Sequence, residues 1–141
     1  MIYAISDLHL SGSVNKPMDI FGGRWENHAE KIYENWNKKV KNDDTVILPG
    51  DLSWGLTLEE TLPDFIFLDR LPGKKIISKG NHDYFWSTVS KIKEFFVQNG
   101  ITTIELMHNN AFSIENLVIC GSKGYSFDSD AAREHNDRLM K

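Results

Sequence analysis

Short apolar runs that alternate with amphipathic segments constrain the fold of this chain more than any other feature. The apolar runs have the length of buried strands, and they lie at residues 2–6, 45–48 and 75–78. Apolar side chains with helical spacing follow each run, in residues 28–41, 57–68 and 87–98. Alternation of strand and helix predicts a parallel sheet with crossover helices.

Capping residues mark where the predicted helices begin. Asn27 with Glu30, and Thr57 with Glu60, have the spacing of a capping box, in which a side chain before the helix accepts a backbone N–H. Pro72-Gly73 is expected to end the second helix. The long polar loop at residues 11–27 is of a kind that is more often functional than idle.

The pattern changes after residue 100. Residues 103–107, 111–114 and 117–120 read as short strands, and Glu115-Asn116 joins the last two as a tight hairpin. A polar, helical stretch is expected from about residue 128. The sequence thus predicts an α/β fold with a mostly parallel first sheet and a short hairpin that begins a second.

Composition limits the class of protein. With 141 residues the chain is long enough for one domain, and its net charge of −4 argues against a nonspecific nucleic-acid binder. Cys120 is the one cysteine and is expected to be a small core residue. A lone cysteine, with neither a signal peptide nor an apolar run long enough to span a membrane, predicts a soluble cytoplasmic protein.

A short polar sequence follows each of the three predicted parallel strands. These sequences are Ser6-Asp7-Leu8-His9, Gly50-Asp51-Leu52-Ser53 and Gly80-Asn81-His82-Asp83. In open α/β sheets, ligands bind beyond the carboxyl ends of the strands, so the three segments are expected to converge. Each motif alone also occurs as an ordinary turn, and the inference therefore depends on the three together.

The residue types in these segments suit divalent metal ions. Carboxylate, imidazole and amide oxygen are ligands for Mn, Fe, Zn or Mg. Asp51, on the central element, is the natural bridge between two ions, and Asn81 offers a neutral oxygen. His82 beside Asp83 has the form of a general acid whose imidazole is held by a carboxylate.

The set Asp7-x-His9, Gly50-Asp51 and Gly80-Asn81-His82-Asp83 resembles the calcineurin-like metallophosphoesterase family. More narrowly, the segments 50–54 and 71–75 resemble a bacterial group of predicted phosphohydrolases. The resemblance implies an αββα sandwich, of which residues 1–141 would form a single domain.

The resemblance also implies roles for individual residues. Asp7 and His9 would bind one metal, Asp51 would bridge both, and Asn81 would bind the second. His82 would protonate the leaving oxygen or steady the phosphoryl group, and Asp83 would orient His82. A metal-bound hydroxide would attack phosphorus in a phosphomonoester or phosphodiester, either a small molecule or a nucleotide.

The chain departs from the family pattern, which continues with a strand ending in His and a Gly-His-x-His element. The other histidines, His28, His108 and His135, do not fit these ligand positions. The expectation is a domain that is incomplete at its C-terminus, with four ligands for two weakly held ions and impaired hydrolysis. A homodimer through unpartnered strands is a further hypothesis.

Two other interpretations stay open. The chain would be a catalytically silent scaffold if the absent histidines abolish metal binding, and a nucleic-acid-binding module is a third, disfavoured alternative.

Arg24, in the long loop, is either a phosphate ligand or a surface arginine. Trp54 lines the pocket or belongs to the core.

Overall fold

The structure is a computed structural model that describes residues 1–122. Its larger sheet has four parallel strands in the order β1 (Ile2–Ala4), β2 (Thr45–Leu48), β3 (Lys74–Ser78) and β4 (Ile104–Met107). The strands follow one another in chain order. Right-handed crossovers between sequential parallel strands put every connecting helix on the same face of the sheet.

The connecting helices are α1 (His28–Lys39), α2 (Leu58–Arg70) and α3 (Val89–Gln98). Their apolar stripes share one core with a face of the sheet, and this core includes Trp36, Phe65, Ile92, Val46 and Ile77. A short 3₁₀ helix, Met18–Phe21, lies in the long loop after β1. None of the helices in residues 1–122 has the length and apolar character needed to cross a membrane.

A two-stranded antiparallel hairpin, β5 (Asn110–Ile114) and β6 (Leu117–Gly121), forms a second sheet. A side chain at Gly121 would overlap Met107, so the hairpin packs closely on the end of β4. The predicted fold class, α/β with a parallel sheet and a short hairpin, is confirmed.

Several local predictions need correction. β1 ends at Ala4 rather than residue 6, although the N–H of Ile5 still donates to the carbonyl of Ile47. The strand predicted at residues 103–107 is present as β4, and it pairs in parallel with β3. Cys120 is exposed, because a two-stranded hairpin leaves one face open to solvent.

The two predicted capping boxes have different outcomes. The Thr57 side chain accepts the N–H of Glu60, as predicted. Asn27 precedes α1 but has a left-handed backbone (φ 51°) and makes no capping hydrogen bond. A capping side chain normally extends from a β-region backbone. The prediction that Asn27 and Glu30 form a capping box is therefore wrong. The helical stretch expected from residue 128 lies outside the described residues.

Lys75 is a fully buried cation in the central part of the sheet. Its ammonium donates to the Leu71 carbonyl and to Thr103 Oγ1 (3.0 Å). Burial lowers the pKa of Lys75 from 10.5 to about 8, and the nearby Asp69 carboxylate offsets part of this effect. The folded chain thus holds this proton less tightly than the unfolded chain does.

We expect the Lys75 titration to make the chain more stable at alkaline pH. Between about pH 8 and 10.5 the unfolded chain binds more protons at this site, so the free energy of unfolding rises with pH there. The slope is at most about 1.4 kcal/mol per pH unit. Urea unfolding of the wild type and of Lys75→Met across this range measures the effect as a growing difference, while the exposed control Lys93→Met follows the wild type. Parallel curves for all three proteins would contradict the prediction.

Candidate metal centre

The loops after β1 and β2 run side by side beyond the ends of their strands. The N–H of Asp7 donates to the carbonyl of Gly50 (3.1 Å), and the N–H of His9 donates to the carbonyl of Asp51 (3.0 Å). These hydrogen bonds continue the parallel pairing of the strands. As a result, two segments more than 40 residues apart in sequence present their polar side chains together.

The backbone of these loops is left-handed at Asp7, His9 and Asp51. The φ angles are 58° for Asp7, 45° for His9 and 52° for Asp51, and Gly50 has φ 117°. Left-handed backbone is uncommon in residues other than glycine, although Asp and His tolerate it more readily than most. Such conformations concentrate at binding and catalytic sites, where the surrounding structure holds them in place.

Asp7, His9 and Asp51 form a group that fits a metal ion. One ligand atom from each lies within 4.8 Å of the others. The His9 Nε2 to Asp7 Oδ1 distance is 3.9 Å. An ion about 2.1 Å from each ligand separates its ligands by roughly 3 to 4 Å, so only small adjustments are needed. Two carboxylates and one imidazole suit a first-row divalent ion.

The loop after β3 is joined to the loop after β2 by the buried Asp83 carboxylate. Asp83 Oδ2 accepts the N–H groups of Asp51 (2.9 Å) and Gly80 (2.8 Å), and Oδ1 accepts the N–H of Leu52 (2.8 Å). Burial raises the pKa of Asp83; the three hydrogen bonds oppose this effect and the nearby Asp51 charge adds to it. Within residues 1–122, no hydrogen bond joins this carboxylate to the His82 ring. Asp83 was expected to orient the His82 ring. Its hydrogen-bond partners are instead the backbone N–H groups of Asp51, Leu52 and Gly80.

The loop after β3, the third of the three loops, also contacts Asp51 directly. The N–H of His82 donates to Asp51 Oδ1 (2.9 Å). A side chain at Gly80 would overlap the Asp51 carboxylate, which explains why glycine stands there. Asn81 lies between these two residues in the sequence and is exposed.

Aromatic side chains surround the two histidines. The His9 ring stacks on Trp54 (4.7 Å between ring centroids, 18° between planes), and Trp54 lies 5.4 Å from the His82 ring. The His9 and His82 rings are 6.0 Å apart. Of the two interpretations of Trp54, the structure supports the one that places it at the site.

Two residues that sequence reasoning did not assign also support the site. His28 Nε2 donates to the Leu8 carbonyl (3.1 Å), since a carbonyl can only accept. The buried Asp64 carboxylate accepts the Ser53 hydroxyl and the Gly12 N–H, and burial raises its pKa. Asp64 had a signal in the sequence, because it is an acidic residue on the apolar stripe of α2.

The remaining predicted residues fall into separate groups. Arg24 lines a cavity together with Asp7. His108 is exposed at the β4–β5 turn, and His135 lies outside the described residues.

Comparisons with known proteins bear on the fold and on the family of the chain. A search of curated proteins found no significant match. Among solved structures, a protein of unknown function from Aquifex aeolicus is similar, with a TM-score of 0.58 and 22% identity. The similarity covers 99% of this chain and 69% of that one, and at this identity it supports the fold alone.

A family model identifies the family of the chain. The model of the calcineurin-like phosphoesterases matches residues 1–140. The predicted resemblance is therefore confirmed, and the metal-fitting group of Asp7, His9 and Asp51 agrees with a family of metal-dependent phosphoesterases. This chain belongs to the calcineurin-like phosphoesterase family.

Proposed function

We propose that this chain hydrolyses a phosphomonoester or phosphodiester at a dinuclear metal site held by Asp7, His9, Asp51 and Asn81. The observation that carries the proposal is the convergence of the Asp7, His9 and Asp51 ligand atoms within 4.8 Å of one another. Two divalent ions at such a site would supply Lewis-acid stabilisation of the phosphoryl charge and an activated water.

Asp51 and Asn81 have distinct proposed roles at this site. Asp51 is buried between the other two loops, which suits a carboxylate shared by two ions. One of its oxygens already accepts the His82 N–H, and this contact holds the third loop against the ligand group. Asn81, next to His82, adds a neutral ligand and limits the negative charge that an incoming phosphate meets.

His82 is the proposed proton donor to the leaving oxygen. Its half-buried ring stands 6.0 Å from the His9 ring, and its backbone is fixed by Asp51. A general acid must lie near the scissile bond without ligating the metals itself. Asp83 supports His82 through the backbone of the loop.

We expect residues 1–141 to bind Mn²⁺ weakly. Asp7, His9 and Asp51 give the first ion three ligands, and Asp51 and Asn81 give the second ion two. Isothermal titration calorimetry should therefore detect weak binding rather than two tight sites. Two tight sites would mean that ligands outside this set complete the centre.

We expect His82→Ala to slow hydrolysis according to the leaving group. A general acid contributes about a hundredfold or more when the leaving oxygen needs a proton. Activity with Mn²⁺ should fall about a hundredfold on phenyl phosphate and much less on 4-nitrophenyl phosphate, whose leaving group departs without a proton. The exposed His108→Ala is the control. Equal losses on both substrates would contradict the role.

Mn²⁺-dependent hydrolysis of 4-nitrophenyl phosphate and of bis(4-nitrophenyl) phosphate tests the function as a whole. Activity on the first or second substrate also separates monoesterase from diesterase. A folded chain without activity on either at millimolar Mn²⁺ would favour the silent scaffold.

We also propose a cytoplasmic location and a homodimer. The exposed thiol of Cys120 suits a reducing compartment.

Leu117 and Val118 are 52% and 70% exposed on β6, and such apolar side chains favour self-association. Sedimentation as a clean monomer would contradict the dimer.

A further inference from the structure

A cavity of about 480 Å³ opens beside the ligand group and shares Asp7 with it. This volume is within the range of small-molecule sites. Asp7 is a proposed metal ligand. In a phosphate ester bound at the metals, the atoms next to the phosphoryl group would therefore lie at the mouth of this cavity.

Two cationic side chains line the cavity, Arg24 from the long loop and Lys31 from α1. Asp7 is the one acidic residue among the lining side chains, and a bound metal would take up its charge. Within residues 1–122, no carboxylate lies at ion-pair distance from Arg24 or Lys31. In a chain of net charge −4, this is a locally positive surface with no internal counter-ion described.

The rest of the wall is largely apolar and held in place. Ile5, Trp25 and Ile32 contribute apolar surface. Trp25 packs edge-on against His28, at 5.5 Å between ring centroids, and His28 is tied to the Leu8 carbonyl. The wall therefore suits a carbon skeleton, and the two cations suit an anionic group attached to it.

We infer that this cavity binds the leaving group of the ester, and that the leaving group carries a negative charge of its own. The inference rests on the proposed function and names its substrate class: phosphate esters of an alcohol that bears a carboxylate or a second phosphate. Arg24 contacts the anionic group through its planar fork, and Lys31 adds a second positive charge.

Binding of non-hydrolysable analogues to the Mn²⁺-loaded protein tests this inference. Phenylphosphonate is compared with 3- and 4-carboxyphenylphosphonate by calorimetry, since these differ only in the extra charge. We expect at least one carboxylated analogue to bind the wild type about tenfold more tightly. Arg24→Gln and Lys31→Gln should bring this ratio towards one. Lys38→Gln, an exposed lysine of α1 that pairs with Glu34, is the matched control and should keep it.

Three results would overturn the inference. The first is equal affinity of all three analogues for the wild type. The second is a preference that survives in both Arg24→Gln and Lys31→Gln. The third is a loss of affinity for all analogues alike in Arg24→Gln, which would assign Arg24 to the transferred phosphoryl group. Failure of the proposed function would instead appear as absent hydrolysis of 4-nitrophenyl phosphate, which is measured separately.

Discussion

Replacing Asp51 by Asn should lower Mn²⁺-dependent hydrolysis of 4-nitrophenyl phosphate by about three orders of magnitude. The proposed shared ligand would lose its charge, and metal ions contribute several kcal/mol of transition-state stabilisation, each 1.4 kcal/mol being a factor of ten. The amide keeps an oxygen for the His82 N–H, so the third loop stays in place. Calorimetric titration with Mn²⁺ should show weaker binding in the same variant.

The control for this substitution is Asp43→Asn, which removes one carboxylate from an exposed turn before β2. It should retain wild-type activity and wild-type Mn²⁺ binding. If Asp51→Asn keeps more than a tenth of the activity, Asp51 is not the shared metal ligand.

Replacing Asp83 by Ala should lower the free energy of unfolding by about 3 to 5 kcal/mol. Three backbone N–H groups, of Asp51, Leu52 and Gly80, would lose their shared acceptor in a buried place, and each such loss costs about 1 to 3 kcal/mol. Urea unfolding monitored by circular dichroism measures the change.

Asp83→Asn should lose less stability, because its amide keeps one oxygen as an acceptor. Asp7→Asn is the control on the neighbouring loop, and its stability should change little because the Asp7 side chain is 57% exposed and asparagine also tolerates the left-handed backbone of this position. If Asp83 served only to orient the His82 ring, Asp83→Ala would unfold like the wild type. Wild-type stability of Asp83→Ala would thus support the role that the sequence suggested, which is orientation of His82.

The sequence was sufficient to predict the layered fold. Period and length separate a strand such as Thr45–Leu48 from a helix such as Leu58–Arg70, and chain order with handedness then arranges the sheet. It was less reliable at the ends of elements. Asn27 had the right residue type for a cap, but its backbone at the end of the long loop is left-handed.

The convergence of the candidate ligands was also predictable, because residues at the carboxyl ends of parallel strands meet at one edge. Asp7, His9 and Asp51 converge as expected. Partners at long range were not predictable. Nothing in the order Asn81-His82-Asp83 tells that the Asp83 carboxylate binds the backbone of residues 51, 52 and 80.

By itself, then, the sequence determined the fold class, the family and the edge of the sheet where Asp7, His9 and Asp51 meet. These depend on local periodicity and on motifs that are contiguous in the chain. Only the tertiary structure decided that Asp83 joins two loops, that Trp54 stacks on His9, and that Arg24 shares a cavity with Asp7. Those contacts arise where separate loops pack, and their geometry is set by the approach of distant backbones rather than by neighbouring residues.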